Sequence, residues 1–323
     1  MAVEAMGSRS IYLLRGTVKI NGQPANADTR IWGTDLIETG GDGQIVFRVE
    51  SDAFILRPNS RLQLSPPPTD DAIIEGLRLI TGGGSGIGLA GAVELVKAGV
   101  HVVISGRNAA TNAAALAQLQ ALGSVESVLL DVADKHAVKA VAQQILSAHG
   151  RIDILVNSAG INATKRNFDV LSTDSWDDVV NINLNGLFYC VHAVLPTMRA
   201  QKGGLIVNVS SWAGLYASKL TGPAYNATKR AVLALTESIN MEECGYGIRA
   251  SSVLPGEVAT PIMEKRPVPP SKEQRERMVQ PEDMGQAILF LATMPARTCI
   301  NEMIVSPTFN RFYMGGLETP PAK

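Results

Sequence analysis

The chain has 323 residues, 46% hydrophobic and 18% charged, with a formal net charge of −1. That length accommodates one large domain plus a small one, and the near-neutral balance gives no electrostatic footprint for nucleic acid or an anionic membrane, which leaves small-molecule chemistry. Cys190, Cys244 and Cys299 lie far apart without a C-x-x-C pair, and the four histidines are not at metal-ligand spacing beside them, so the cysteines are expected as buried small hydrophobes and no metal site is expected.

The first twenty residues carry Glu4, Arg9, Arg15 and Lys19 where a signal peptide needs an apolar core, and no uninterrupted apolar run reaches the roughly 18 residues of a membrane helix. A cytoplasmic protein is expected. From Ile11 to Leu64, short alternating runs ("IYLLRGTVKI", "DLIETGGDGQIVFRV", "AFILRPNSRLQL") are separated by Asn-Gly and Gly-Asp-Gly, the pattern of hairpins, and predict a small all-β domain over residues 1–65. "SPPPTDD" then interrupts regular structure, because successive prolines donate no backbone hydrogen bonds, and predicts a linker over 66–72.

From residue 73 to 323 the pattern changes to β-branched runs alternating with longer helical stretches. "LRLIT", "HVVISG", "SVLLDV", "IDILVNSAG", "GLIVNVSS", "IRASSVLPG" and "NEMIVSP" predict seven strands, spaced by stretches such as "LAGAVELVKAG" and "HAVKAVAQQILSAHG". Repeated βα units with right-handed crossovers give an α/β fold: a doubly wound parallel sheet covered by helices on both faces.

"TGGGSGIG" (81–88) follows the first of these strands and opens a helix. A glycine-lined strand-to-helix turn lets phosphates approach the backbone at the positive end of the helix dipole, although any tight βα turn also favours glycine. The second strand ends in Gly106, where an acidic residue would hold a free ribose 2′-hydroxyl, and continues to Arg107, whose guanidinium suits a 2′-phosphate. This favours NADP over NAD; a solvated loop arginine is the other reading of Arg107.

These residues resemble the short-chain dehydrogenase/reductase family, whose cofactor turn reads T-G-x-x-x-G-x-G, from about Leu77 to Pro307. "LLDV", "NSAG" in place of the family's N-N-A-G, and "PGEVATP" follow in the family's order. The resemblance implies a Rossmann domain and a cofactor site built from Gly82, Ser85, Gly86, Ile87, Gly88, Arg107, Asp131, Val132, Asn157, Ala159, Gly160, Tyr225, Lys229, Pro255, Gly256, Val258 and Thr260.

"YNATK" sets Tyr225 and Lys229 four residues apart, on one face of a helix. A neighbouring ammonium stabilises a phenolate whose unperturbed pKa is near ~10, so the pair suits proton transfer. The resemblance implies Ser211 of "SSWAG" as the serine that polarises the reacting oxygen, with Ser210 structural, and a loop to Tyr225 one residue longer than usual leaves either serine facing the substrate. It also implies Asn183 in a proton relay, with Asn181 and Asn185 as neighbours that equally suit a helix kink.

The expected activity is hydride transfer between a nicotinamide and an alcohol or carbonyl substrate by a Ser-Tyr-Lys-Asn mechanism. Trp212, Leu215, Tyr216, Ile262 and Met263 predict a fairly apolar substrate pocket, while the basic residues of "EKRPVPPSKEQRERM" face either an acidic substrate or water. The helices of "GLFYCVHAVLPTM" and "KRAVLALTESINME" are apolar over more than one stripe, a surplus that a second subunit could bury, and the family resemblance implies a homodimer or homotetramer. Residues 9–64 resemble the β domain of FecR-type regulators, and the alternative function is a non-catalytic nucleotide-sensing regulator that works through that domain.

Overall fold

The computed structural model describes residues 10–31, 35–49, 52–63, 76–266, 268–310 and 313. The chain divides into two compact units, Met1–Ile73 and Ile74–Lys323. The proline-rich stretch expected as a linker over 66–72 lies outside the described residues.

The first unit contains β1 (Ser10–Arg15), β2 (Val18–Ile20), β3 (Gln23–Pro24), β4 (Leu36–Thr39), β5 (Gln44–Val49), β6 (Asp52–Leu56) and β7 (Arg61–Gln63). They pair in two antiparallel sheets, β1-β5-β6 and β3-β2-β4-β7. Alternation along the strands puts Val18, Ile20, Ile37, Ile45 and Phe47 into a common core with Ile31 and Leu56. Asn21 and Gly22, both at positive φ, make the tight turn between β2 and β3.

The second unit runs β8 (Leu77–Thr81), α1 (Gly86–Lys97), β9 (His101–Gly106), α2 (Ala109–Gln120), β10 (Val125–Leu129), α3 (Lys135–His149) and β11 (Ile154–Asn157). It continues through α4 (Thr173–Val180), a π-helical turn (Asn181–Asn185), α5 (Gly186–Gln201), β12 (Gly204–Val209), α6 (Trp212–Leu215), α7 (Pro223–Glu243) and β13 (Ile248–Pro255). α8 (Lys272–Glu276), α9 (Pro281–Thr293) and β14 (Glu302–Val305) complete it. The seven strands form one parallel sheet in the order β10-β9-β8-β11-β12-β13-β14. Strand order reverses between β8 and β11, so the crevice beyond their carboxyl ends is the place where this topology offers a ligand site.

Both faces of the central sheet are buried, which is why every residue of β8 and β11 is buried without alternation, Arg78, Thr81 and Asn157 included. On one face Val103, Leu155 and Ile206 pack with Val138 and Ile145 of α3, Val191, Val194 and Met198 of α5, and Val232 and Ile239 of α7. On the other, Ile80, Ile104, Val156 and Val207 pack with Leu95 of α1, Leu119 of α2, and Ile288 and Leu291 of α9. The continuous stretch Thr173–Gln201 is the one described helix with the length and apolarity to cross a bilayer, and those properties are explained by its face in this core.

Two expectations change here. The strand expected over "SVLLDV" starts earlier, at Val125, and ends at Leu129, so Asp131 lies in the loop beyond it. Of the three cysteines only Cys190 is buried, and the apolar core pushes its thiol pKa up to about 12; Cys244 and Cys299 are exposed, because one opens the short turn after α7 and the other sits in the loop before β14.

Candidate active site

The glycine turn sits at the switch point and is forced by close approach. Gly82 has φ +67°, and a Cβ there would stand 2.9 Å from the amide nitrogen of Ala159 at the end of β11. A Cβ on Gly88 would stand 2.4 Å from the carbonyl oxygen of Gly82, so that glycine sets how closely α1 meets the turn rather than lining the cleft. Helix α1 begins at Gly86 with no side-chain cap, so its first N–H groups and positive dipole end point toward the crevice.

A continuous cleft runs across this point. At one end it is lined by Gly82, Ser85, Gly106, Arg107, Asp131, Val132, Ala159 and Gly160. Its middle is lined by Ser85, Gly86, Ile87, Gly160, Tyr225, Lys229, Pro255, Gly256, Val258 and Thr260, which brings together most of the residues expected around a cofactor. Asn157 is an exception: its buried side-chain amide donates to Asn208 at 2.9 Å, in the sheet behind the cleft wall of Ser158, Ala159 and Gly160.

Two positioning residues escaped the sequence reasoning. The buried Thr81 hydroxyl accepts from the backbone N–H groups of Ser158 (3.2 Å) and Ala159 (3.3 Å), tying the ends of β8 and β11 together. It is the first residue of the glycine stretch, so a signal was present. Asn112 of α2 donates to the carbonyls of Gly106 (3.0 Å) and Val128 (3.2 Å), and its Oδ1 would lie 2.6 Å from a Cβ on residue 106. Any side chain at 106 would therefore have to displace the Asn112 amide. No local signal marks Asn112, because its partners lie on two different strands.

Tyr225 and Lys229 project from α7 into the middle of the cleft. Tyr225 and Ser211 line the same part of the cleft, and Lys229 Nζ lies 5.5 Å from the Tyr225 ring centroid. Lys229 Nζ donates to the carbonyl oxygen of Val209 at 2.7 Å, at the end of β12. The two serines separate by their bonds: Ser210 Oγ donates to the Lys229 carbonyl at 2.7 Å, which fixes the helix to the strand, whereas Ser211 faces the tyrosine. Burial raises the Tyr225 pKa above its ordinary value, opposed by the Ser211 hydrogen bond and then by the positive charges of Arg266 and Arg166. Burial pushes Lys229 down to about 8.

The three asparagines also separate. Asn183 is buried in the π-helical turn; its Oδ1 accepts from Ile161 N (2.8 Å), its Nδ2 donates to Ile161 O (2.9 Å), and its Oδ1 and Lys229 Nζ flank Gly160. Asn185 donates to Asn181 at 2.9 Å on the outer side of the helix. The extra residue of a π turn re-aims one side chain, and here that side chain is Asn183.

Beside Tyr225 lies a further cavity lined by Ser211, Trp212, Tyr216, Ile262, Met263 and Arg266, among others. Leu215, expected in the apolar pocket, is not on this wall, and Leu220 is.

Comparison with known proteins agrees with this geometry. Residues 77–269 match the short chain dehydrogenase family. An uncharacterized oxidoreductase of Staphylococcus haemolyticus is 35% identical over 229 residues, covering 71% of this chain and 96% of that one. Among solved structures, a metagenomic short-chain oxidoreductase in complex with NADP matches with TM-score 0.64 and 30% identity over 74% of this chain and 99% of that one. The closed form of a serine dehydrogenase complexed with NADP+ matches with TM-score 0.67 and 26% identity over 76% and 100%. Glycine turn, Tyr-Lys helix and reversal of strand order thus coincide with sequence similarity over the same residues, and the chain belongs to the short chain dehydrogenase family.

Proposed function

We propose that the protein is an NADP-dependent oxidoreductase that interconverts an alcohol and a carbonyl compound, with Tyr225, Lys229, Ser211 and Asn183 as its proton-handling set. The observation that carries this reading is that Tyr225, Ser211 and Lys229 line the same stretch of a cleft that also contains the glycine turn. The cradle that a Cβ at 82 would close and the uncapped start of α1 fit a pyrophosphate, so Gly82, Ser85, Gly86 and Ile87 would hold it, Gly160, Val258 and Thr260 would flank the nicotinamide half, and Asp131 and Val132 would border the adenine. When bound, NADP supplies or accepts the hydride.

Within the chain, Tyr225 gives its proton to the substrate oxygen in reduction and takes it back in oxidation, and Ser211 donates a hydrogen bond to that same oxygen. Lys229 holds positive charge beside the phenol, and Asn183 fixes the Ile161 backbone beside Lys229, where a proton path to solvent would start. Arg107, at the far end of the cleft beside Gly106, which carries no acid, favours a 2′-phosphate. The direct test is Tyr225→Phe, which should lower turnover of any accepted alcohol or carbonyl by roughly 10²–10⁴-fold with NADP binding unchanged. Full turnover in that variant would remove the reading.

Several further assignments rest on the same reading. Trp176 and Phe188, 36% and 45% exposed on α4 and α5, support an oligomer that covers them. The antiparallel unit is read as a FecR-like module appended outside the reaction, and the composition supports a cytoplasmic location. A sensor-only role has less support, since it has no use for a lysine buried beside a tyrosine.

A further inference from the structure

The histidines have no metal-ligand spacing in the sequence, yet folding brings two of them together with a carboxylate at the end of the sheet remote from the cleft. His101 opens β9, Glu126 is the second residue of β10, and His149 closes α3. Glu126 pairs in register with Val103, and residues two apart share a face of a strand, so His101, Val103 and Glu126 stand on one side of the sheet. Val103 packs there with Ile145 of α3, and His149 follows Ile145 by one helical turn on the same face. Gly150, at φ +74°, ends the helix immediately afterwards.

One ligand atom from each of the three side chains lies within 4.8 Å of the other two. Glu126 Oε1 is 3.2 Å from His101 Nε2 and 3.3 Å from His149 Nε2, and the two imidazole rings are tilted at 40° with centroids 4.9 Å apart. Bonds of about 2.0–2.2 Å to a tetrahedral zinc ion set neighbouring ligand atoms roughly 3.3–3.6 Å apart, so the carboxylate already stands near ligand spacing from both nitrogens. His101 Nδ1 lies 2.6 Å from Ser124 Oγ. With the proton on that nitrogen and the serine accepting it, the Nε2 lone pair faces the carboxylate, the tautomer that an outer partner fixes in a metal-bound histidine. An ion pair through a protonated ring would instead aim an N–H at Glu126, and His101 Nε2, shielded from solvent, makes no hydrogen bond among the described residues. The carbonyl end of α3 adds a negative dipole end beside His149, which favours a cation there.

We propose that His101, Glu126 and His149 bind a divalent transition metal of the zinc type, since two imidazoles and a carboxylate suit such an ion better than magnesium or calcium. The ion ties the starts of β9 and β10 to the end of α3. Gly106, at the other end of the six-residue strand β9, lines the cleft about 17 Å away at ~3.3 Å per residue, so the metal is structural and the site stands whether or not the dehydrogenase reading does.

The test is calorimetric titration of the chelator-treated full-length protein with Zn2+, alongside thermal melts with and without the metal. One equivalent should bind with a Kd below about 10 μM and raise the melting midpoint. His101→Gln, Glu126→Gln and His149→Gln should each weaken binding by at least about tenfold and remove the zinc-dependent rise in Tm. His136→Gln and the double variant Cys244→Ala/Cys299→Ala, which change potential zinc ligands outside the cluster, should bind zinc as the parent does. The proposal falls if no zinc binds at about 100 μM, if cluster variants that fold by circular dichroism bind zinc like the parent, or if the cysteine variant abolishes binding. Glu126 is 51% exposed on an edge strand, so Glu126→Gln decides the question should a histidine variant fail to fold.

Discussion

At the scale of single residues, the least comfortable group in the second unit is Lys229. It is 5% exposed, one of its donors is spent on Val209, and burial lowers its pKa from 10.5 to about 8. Between about pH 8 and 10.5 the folded chain has released this proton while the unfolded chain still binds it, so the unfolded state carries more protons and stability rises with pH across that window. Below it, the buried ammonium costs on the order of 3 kcal/mol. Chemical denaturation of the cofactor-free protein should therefore show a rise in stability from pH 8 to 10 that is absent in Lys229→Met; parallel curves for the two would exclude this assignment. The spacing of "YNATK" made the pair legible, but the division of labour between Ser210 and Ser211 was not, since it depends on a bond from Ser210 to the Lys229 carbonyl nineteen positions away. Asn157 misled for a similar reason: it sits in a motif facing the cleft, while its side chain points back into the sheet toward Asn208.

At the scale of elements, the glycine turn works only because α1 meets β8 more closely than any side chain permits. Gly88→Ala would drive a Cβ into the Gly82 carbonyl at 2.4 Å, and since both partners are backbone the helix itself must shift. Overpacking of this kind destabilises by about 1–3 kcal/mol, and displacement of the helix start should also weaken NADP binding; thermal melts with and without NADP separate the two effects. Arg107→Ala acts on the neighbouring strand end and should weaken NADP more than NAD, with equal losses counting against a 2′-phosphate contact. All seven strands of the sheet were legible from their apolar, β-branched-rich runs, most directly in the central strands, whose two faces are both buried. The π-helical turn at Asn181–Asn185 was not: a run of three alternating asparagines reads as a kink, and only packing against Ile161 selects which one turns inward.

At the scale of the whole molecule, the residues matched by the short chain dehydrogenase family, 77–269, fall within the second compact unit, Ile74–Lys323. The Staphylococcus haemolyticus oxidoreductase is matched over 96% of its own length by 71% of this chain, so a protein of that size lacks any counterpart to much of the remainder. The unit Ile74–Lys323 has its own sheet and its own cores on both faces, and the residues lining the cleft from the glycine turn to Arg266 all belong to it. The change from period-two alternation to βα repeats made this division legible in the sequence, whereas the fate of the first unit was not, because hairpins bounded by turns describe an architecture that many unrelated functions share. A chain restricted to residues 74–323 should therefore fold, bind NADP with affinity within about threefold of the full chain, and turn over substrate at a similar rate. Circular dichroism and calorimetric titration of the two chains check this. A loss of more than about tenfold in NADP affinity, in a fragment that still melts cooperatively, would show that the antiparallel unit contributes to the cleft.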